Sequence, residues 1–427
     1  MNISDKLRIL SAAAKFDVSC SSSGSSNRKT SKNGVGAVHS SGICHSFSSD
    51  GRCISLLKIL LSNDCIYNCS YCLNRSGEDR ERASFSNEEL IKITMDFYKR
   101  NYIEGLFLSS AIERNPDYTM ERIGKIVKKL RCEEKFGGYI HIKAIPGASK
   151  ELINSAGTYA DRMSVNIELP SSDSLHLLAP QKRKEAIITS FKNITSSIEE
   201  NKDSKKRFKH TPSFIPAGQS TQLIVGASPE SDKRIIHLSE GLYRKFQLKR
   251  VYYSAYIPVT QSPLLPLTVS PPLLRENRLY QADWLLRFYN FSAQELFSGS
   301  DENLQYNMDP KTAWAINNFN FFPVDINKAS YEHILRVPGI GVRTANKIVV
   351  ARKYHSLSIE DLAKLGAVLK RARYFISAAG KNLYEEKLSL DAIRSRLIQG
   401  KVKPYVQLGL FDNLTPQIYN QTLTGEI

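Results

Sequence analysis

Six short apolar segments alternate with amphipathic segments between residues 55 and 260 of this 427-residue chain. The first, Ser55–Leu61, and the last, Arg250–Val259, have the length and residue types of β-strands. Between them, segments such as Tyr118–Arg131 place apolar residues three or four positions apart, as amphipathic helices do. Strands that alternate with helices predict an α/β protein with a parallel sheet and right-handed crossovers. Periodicity alone does not distinguish a partial barrel from a doubly wound sheet.

The same patterns give approximate boundaries for each element. The predicted strands are Ser55–Leu61, Glu104–Ser110, Gly138–Ala144, Arg162–Leu169, Thr221–Ala227 and Arg250–Val259. The predicted helices are 5–16, 86–100, 118–131, a segment from Ser149, 182–199, 232–246 and 279–288.

Three cysteines follow the first strand. Cys65, Cys69 and Cys72 have C-x3-C-x2-C spacing, and Tyr71 precedes the last of them. The loop is therefore expected at the C-terminal end of a strand, where parallel α/β folds bind ligands. Three thiolates are one short of the four that structural zinc sites and ordinary ferredoxin clusters use. They can hold three irons of a [4Fe-4S] cube and leave the fourth open, although a zinc site with a distant fourth ligand is the alternative.

This loop resembles the cluster loop of the radical S-adenosylmethionine (SAM) superfamily in its spacing and its aromatic residue. The resemblance implies a partial (β/α)6 barrel, open on one side. In that family the open iron binds the amino and carboxylate groups of SAM, and reduction cleaves SAM to a 5′-deoxyadenosyl radical.

The resemblance also implies where SAM would bind, at Tyr71 of the cysteine loop and at strand ends. Ser109 and Ser110 would meet its amino group, and Asn166 and Glu168 its ribose. Three residues near the fifth strand, Gln222, Val225 and Gly226, would pack near adenine. The glycine-glycine-glutamate signature of the family is absent after the second strand, and ordinary strand-end packing is the alternative for all these residues.

A second motif lies near the C-terminus. The run Val337-Pro338-Gly339-Ile340-Gly341 between two helical patterns resembles a helix-hairpin-helix (HhH) turn, in which glycine allows tight backbone geometry. A degenerate copy around Gly366 predicts an all-α (HhH)2 domain. Its expected DNA contacts are Gly339, Ile340, Gly341, Arg343, Lys347, Gly366, Lys370 and Arg371. Amides of such a turn can hold a phosphate, and the alternative is a unit used for protein packing.

The charge of the chain favours an anionic partner. The formal net charge is +17, and residues 327–376 contain ten Lys or Arg against three Asp or Glu. Such modules grip backbone phosphates with little sequence preference. Another basic stretch, Glu199–His210, is expected to be a loop, either a solvated charge run or a nucleic-acid contact.

Two polar segments carry weaker signals. Residues 18–52 and the adjoining Cys53 contain Cys20 and Cys44, which predict either a second metal site or a flexible lid with incidental cysteines. In the tail, Gln407, Leu408, Leu410 and Phe411 resemble the peptide by which bacterial repair proteins bind the sliding clamp. The alternative is that Leu410 and Phe411 pack onto the protein's own core.

The expected organisation has five parts. They are 1–54, an N-terminal helix and polar segment; 55–260, the barrel; 261–323, a connector; 324–380, the (HhH)2 domain; and 381–427, the tail. The N-terminus lacks the pattern of a signal peptide, and no apolar run approaches the ~20 residues of a membrane span, so a cytoplasmic protein is expected.

Together these features resemble a family of radical SAM proteins assigned to DNA modification or repair. The predicted function is reductive SAM cleavage to modify nucleotides in DNA, with a reductase, flavodoxin or ferredoxin as electron donor. The alternatives are a radical SAM enzyme acting on RNA and a nonenzymatic DNA-binding protein with a structural cluster. The sequence identifies no catalytic side chain and no particular base.

Overall fold

The computed structural model describes residues 1–14, 43–47, 53–260, 262–267, 270–297, 301–382 and 389–398; for 43–47, 53, 381 and 382 only the backbone is described. Backbone contacts divide these residues into two compact units. One comprises Met1–Glu230 and Gly241–Glu276, and the other comprises Ser231–Glu240 and the residues from Asn277 onward.

The first unit is built on a seven-stranded sheet whose spatial order follows the chain order. The strands are β1 (Ile43–Phe47), β2 (Cys53–Leu60), β3 (Gly105–Ser109), β4 (Tyr139–Lys143), β5 (Arg162–Ser164), β6 (Gln219–Val225) and β7 (Arg250–Ala255). β1 pairs antiparallel with β2, and β2 to β7 are all parallel. The predicted six parallel strands are confirmed. The antiparallel edge strand β1 was not predicted.

Helices connect the parallel strands. They are α2 (Asn87–Lys99), α3 (Pro116–Cys132), α4 (Lys150–Gly157), α5 (Ser172–Leu178), α6 (Lys184–Arg207) and α7 (Asp232–Phe246), with α1 (Ile3–Ala13) preceding the sheet. Sequence signals fix several starts. Ser86 forms a capping box with Glu89, and Asn115 and Ser149 each accept a hydrogen bond from an amide of the first turn.

Most elements differ from their predicted bounds by a few residues, α5 was not predicted, and two elements differ most. The basic stretch 199–210 was expected to be a loop, but α6 continues to Arg207, so the loop prediction was wrong over most of its length. Lys and Arg are good helix formers, and cations near a helix C-terminus interact favourably with its dipole. β5 is shorter than predicted, because the chain leaves regular strand geometry before Glu168, whose φ is 65°.

The chain after β7 is mainly helical. Its helices are α8 (Leu273–Phe288), α9 (Ala293–Leu296), α10 (Pro310–Asn317), α11 (Tyr331–Arg336), α12 (Val342–Ala351), α13 (Ile359–Leu365), α14 (Leu369–Ala372) and α15 (Leu390–Leu397). A small sheet, β8 (Val324–Asp325), β9 (Ile376–Ala378) and β10 (Lys381–Asn382), accompanies them, so the prediction of an all-α domain was wrong. Strands of two or three residues show no periodic pattern in a sequence. One core includes Phe291 and Trp314 from the predicted connector together with Ile340 and Phe375 from the hairpin region. The boundary drawn at residue 323 stays a prediction.

Candidate SAM site and hairpin motif

A cavity of about 520 Å³ lies at the C-terminal edge of the parallel sheet. The loop that follows β2 lines it with Cys65, Cys69 and Cys72. Other lining residues come from the ends of the remaining strands; among them are Leu60, Ser110, Lys143, Asn166, Gln222 and Ser254. Ligands of parallel α/β proteins bind at this edge, because loops from many strands converge there.

Five of the eight residues expected to contact SAM line this cavity. They are Tyr71, Ser110, Asn166, Glu168 and Gln222. Ser109, Val225 and Gly226 belong to or follow β3 and β6 but do not line it. Ser109 and Val225 are buried, and Gly226 has a φ of 89° and packs beside Pro272. The SAM contacts stay predictions, and the five residues that line the cavity are the better placed to bind a ligand in it.

The three cysteines are free thiols. Cys69 is buried, while Cys65 and Cys72 are half-buried. Backbone amides approach two of the sulfurs, with the N of Tyr67 3.4 Å from Sγ of Cys65 and the N of Asn74 3.4 Å from Sγ of Cys72. Amide donors of this kind stabilise negative sulfur and help set the potential of iron–sulfur clusters.

The spacing of the thiols bears on which metal they could hold. Within the described residues, no three His, Cys, Asp or Glu side chains converge on a point where they would bind one metal ion. A zinc ion at about 2.3 Å from each thiolate would need such convergence. Three thiolates that each bind a different iron of a cube lie farther apart than three that share one ion. The assignment of the three cysteines to a cluster stays a prediction, with the zinc site as the alternative.

Contacts with distant parts of the chain hold the cysteine loop in place. The amide of Ser70 donates to the carbonyl of Leu178 at 2.7 Å, and the hydroxyl of Thr260 donates to the carbonyl of Ser70 at 2.6 Å. The amide of Asn68 donates to Oε1 of Gln181 at 3.3 Å. The ring of Tyr71 packs against a cluster formed by Leu169, Leu178, Ala227, Tyr256 and Leu265. The backbone between the cysteines is thus fixed by partners more than a hundred residues away.

A buried ion pair forms part of the cavity wall. Nζ of Lys182 lies 2.6 Å from Oε1 of Glu168, and their side chains are 19% and 12% exposed. Burial by itself lowers the pKa of Lys182, but the Glu168 carboxylate and the neighbouring Cys69 and Cys72 thiols raise it above its usual value. Sequence reasoning missed Lys182, because no local pattern marks a lysine that acquires its role only when the loop before α6 meets β5.

Burial opposes the charged form of the cysteines that a metal requires. It raises the pKa of Cys69, with Lys182 acting in the opposite direction, and it raises the pKa of Cys72 to about 12. A metal bound by these cysteines would therefore displace their protons, as coordination of a thiol does. The ammonium of Lys182 is a positive charge in the protein that favours the thiolates.

Three polar atoms of the cavity wall are buried without a hydrogen-bond partner. They are the hydroxyl of Tyr71, Oγ of Ser110 and Oδ1 of Asn166, which all belong to residues predicted to contact SAM. A buried polar atom that lacks a partner costs roughly 1–3 kcal/mol. A polar ligand in the cavity would supply the missing partners, so these atoms fit a ligand with hydroxyl and amino groups.

The hairpin motif near the C-terminus has the predicted geometry. Residues Val337–Gly341 connect α11 to α12, and Gly339 has a φ of 82°. The second copy runs from α13 through Gly366, with a φ of 100°, to α14. The amide of Val368 donates to the carbonyl of Gly339 at 2.9 Å, so the two copies contact each other at their turns. A Cβ on Gly339 would lie 2.6 Å from the carbonyl oxygen of Val368.

The predicted DNA contacts differ in exposure. Arg343, Lys347, Gly366 and Lys370 are exposed. Arg371 is partly exposed and lies 3.6 Å from Oδ2 of Asp309. Gly339 and Gly341 are half-buried, and the side chain of Ile340 is buried, which leaves only the main chain of Ile340 for a contact. α12 begins without a side-chain cap, so its first amides keep the capacity to bind an anion.

Two predictions fall wholly or partly outside the described residues. Cys20 and the tail residues Gln407 to Phe411 are not among them. Cys44 belongs to β1 and Cys53 to β2, and only the backbone of these two residues is described. Among the described helices, none is long and apolar enough to cross a membrane.

Comparison with known proteins gives one motif and several distant folds. The model of the helix-hairpin-helix motif matches residues 320–370. Similar solved structures include methylornithine synthase PylB (15% identity, 53% of this chain and 60% of that chain, TM-score 0.41). The FeFe-hydrogenase maturase HydG from Carboxydothermus hydrogenoformans is 14% identical, with 53% of this chain and 49% of that chain covered and a TM-score of 0.39. Streptococcus suis SuiB is 12% identical, with 60% of this chain and 50% of that chain covered and a TM-score of 0.38. No curated protein matches the sequence.

The matched region spans about half of each solved structure, or three fifths in the case of PylB. The fold assignment therefore depends on this chain's own strand order and on the hairpin motif. Both agree with the predicted partial (β/α)6 barrel followed by a helix-hairpin-helix domain, which is confirmed. Six parallel strands in chain order are what the resemblance of the cysteine loop implied for the fold.

Proposed function

We propose that this protein is a radical SAM enzyme that acts on nucleotides in DNA. One observation carries the proposal. Three free cysteines share a cavity at the C-terminal edge of a six-stranded parallel half-barrel with three buried polar atoms that lack partners, in Tyr71, Ser110 and Asn166. When bound, a [4Fe-4S] cluster would supply the electron that cleaves SAM.

Residues of this chain would bind the cluster and SAM, compensate charge and exclude water. The thiolates of Cys65, Cys69 and Cys72 would hold the cluster, and the open position would be left for SAM. Ser110 and Asn166 would bind polar groups of SAM through the atoms that now lack partners. Lys182, kept charged by Glu168, offsets negative charge beside the cysteines. The apolar cluster around Tyr71 and Leu265 would exclude water from one side of the cavity.

DNA is proposed as the substrate carrier because of the second unit. Its hairpin motif carries exposed Arg343, Lys347 and Lys370, and residues 327–376 have ten basic residues against three acidic ones. Such a surface binds phosphates of duplex DNA without reading bases. RNA as the substrate, and a nonenzymatic DNA-binding protein with a structural cluster, are the competing functions.

Reconstitution under anaerobic conditions tests the proposal. The reduced protein should convert SAM to 5′-deoxyadenosine, detected by mass spectrometry, and duplex DNA should change the amount or labelling of that product. A Cys69→Ala variant should lose both cluster absorbance and 5′-deoxyadenosine. Product formation by that variant, or a cluster that leaves SAM intact in the unchanged protein, would contradict the proposed chemistry.

Further parts of the proposal concern partners. A reductase, flavodoxin or ferredoxin would deliver the electron, and free cysteines fit a reducing compartment such as the cytoplasm. The tail peptide with Gln407, Leu408, Leu410 and Phe411 would dock on a sliding clamp through its apolar anchors. Cys20, Cys44 and Cys53 would hold a second metal, which iron analysis of a variant lacking the three loop cysteines would detect.

A further inference from the structure

The first hairpin turn rests on a buried lysine. Lys311 is the second residue of α10 and is only 9% exposed. Its Nζ donates to the carbonyl of Ile340 at 2.6 Å, in the middle of the turn between α11 and α12. The same Nζ lies 4.6 Å from the ring centre of Tyr289. A side chain 29 residues before the turn therefore supports it from inside the protein.

Three other carbonyls of the turn have backbone partners. Val337 accepts from the amide of Ile340 at 3.2 Å, Gly339 accepts from Val368 at 2.9 Å, and Gly341 accepts from Ala345 at 2.8 Å. Ile340 differs, because a cationic side chain satisfies its carbonyl. Hydrogen bonds from charged donors are about twice as strong as neutral ones, which makes this contact a strong constraint on the turn.

Charged and polar groups surround Lys311 on each side. Burial lowers the pKa of Lys311 to about 7; Asp309 opposes this effect and Arg336 adds to it. Asp309 also lies 3.6 Å from Arg371 of α14, and Arg336 of α11 is itself paired with Glu295 at 2.9 Å. Tyr289, after α8, contributes its ring and lies close to Gly341 through its hydroxyl. No carboxylate within the described residues forms an ion pair with Lys311.

Burial of a cation without a paired carboxylate has a high desolvation free energy unless nearby groups stabilise the charge. The hydrogen bond to the Ile340 carbonyl offsets part of this free energy. The hydroxyl of Tyr289 lies beside the amide of Val342, the first of α12. An anion at the next amides of α12 would offset more of the cost, since Gly341 supplies no side-chain cap and α12 carries Arg343 and Lys347 in its exposed first turns.

We propose that Lys311 is a built-in cation of the first hairpin, which fixes the turn through Ile340 and attracts a DNA phosphate to the other side of the turn without touching it. Lys311 is thus a positioning residue for nucleic-acid binding, and the inference rests on the DNA contact proposed above. It assigns a role to a side chain in the interior of the domain, whereas the exposed residues make the contact itself.

The test compares Lys311→Met, which removes the charge, with Lys311→Gln, which keeps a hydrogen-bond donor for Ile340. Fluorescence anisotropy with a labelled duplex measures Kd from pH 6 to 8.5 at constant salt. A phosphate stabilises the ammonium, so the unchanged protein should bind most tightly below pH 7 and more weakly as the pH rises through 7. Both variants should bind roughly tenfold more weakly at pH 6 and lose this part of the pH dependence.

Controls separate charge from folding and from the contact residues. Lys347→Met should weaken DNA binding and reduce the slope of log Kd against log salt concentration by about one. It should retain the pH dependence of Kd. His333 and His355 are present in every variant, so the difference between the unchanged protein and Lys311→Met removes their contribution. Thermal melting monitored by circular dichroism checks that each variant is folded.

The outcomes are distinct. Weak, pH-independent binding by both folded variants supports the role of the charge. If Lys311→Gln binds like the unchanged protein at every pH, the lysine acts only as a hydrogen-bond donor and the inference is overturned. Should both variants fail to fold, the unchanged protein decides, since binding that does not weaken through pH 7 overturns the inference. Absence of duplex binding by the unchanged protein would instead overturn the proposed DNA contact together with this inference.

Discussion

Lys182 and Glu168 form a 2.6 Å ion pair that joins the segment before α6 to the backbone after β5. Glu168 adopts a left-handed φ of 65°, which non-glycine residues rarely do, and a single bridge pairs it with Leu223 of β6. Backbone strain of this kind concentrates at functional sites. The pair places a positive charge beside Cys69 and Cys72, on the wall of the cavity.

Loss of that charge should change the electrochemistry of the proposed cluster. A Lys182→Met variant, loaded with iron and sulfide, should have a more negative reduction potential, because a nearby cation stabilises the reduced, more negative cluster. A redox titration monitored by electron paramagnetic resonance measures the midpoint. Lys184→Met is the matched control, since Lys184 is exposed and bonds to Ser172. An unchanged midpoint in Lys182→Met would show that the ammonium does not act on the cluster.

Asn166→Leu should have opposite effects on the protein and on its ligand. The buried Oδ1 of Asn166 lacks a partner, so a side chain of similar size without that atom should leave the melting temperature equal or higher. SAM affinity should fall by roughly tenfold, as expected for loss of one buried hydrogen bond. Calorimetry with SAM measures the affinity, and a thermal melt measures the melting temperature. A variant that is less stable and yet binds SAM normally would place Asn166 outside the SAM site.

Thr260→Val should loosen the cysteine loop while leaving the fold intact. The substitution removes the 2.6 Å hydrogen bond to the Ser70 carbonyl and leaves that buried oxygen unpaired, at a cost of about 1–3 kcal/mol. Iron should therefore be lost faster from the loaded variant during chelator challenge. Thr158→Val removes a similar bond, to Ser155 at 2.7 Å, from an exposed helix end and serves as the control. Equal rates of iron loss from the two variants would show that the Thr260–Ser70 hydrogen bond does not hold the cysteine loop.

Gly339 and Gly341 should behave differently when each is changed to Ala. Gly339 has a φ of 82°, and its Cβ would lie 2.6 Å from the Val368 carbonyl; the left-handed conformation alone costs about 1–2 kcal/mol. Gly341 has a φ of −94°, and its Cβ would lie 3.4 Å from the Tyr289 hydroxyl. The first variant should lower the melting temperature as well as DNA affinity, and the second should mainly lower DNA affinity. Equal melting temperatures would contradict the packing of the two turns.

The elements that the sequence predicts well are those that local patterns encode. The apolar runs around Leu57, Phe107 and Ile142 mark strands, and the capping signals at Ser86 and Ser149 mark helix starts. Because the three cysteines directly follow the first of these runs in the sequence, their place at a strand end could be predicted. These rules need only residues a few positions apart.

The contacts that complete each site join residues that are distant in the chain. Thr260 meets Ser70 across 190 positions, and Lys311 meets Ile340 across 29. No periodic pattern distinguishes such a threonine or lysine from its neighbours. β1 was missed for a related reason, since a five-residue edge strand in a Ser- and Gly-rich segment lacks alternation and is defined by its pairing with β2.

The hydrogen bond between Thr260 and Ser70 has a consequence for how the protein is made. The cysteines leave the ribosome long before the residue that holds their backbone, because 190 positions separate the two partners. At roughly 5–20 residues per second, that interval is about 10–40 seconds. During it the thiols belong to a nascent chain whose parallel sheet lacks its later strands. Stable assembly of the proposed metal centre would therefore wait until most of the half-barrel has been synthesised, which would make cluster insertion a late event in maturation.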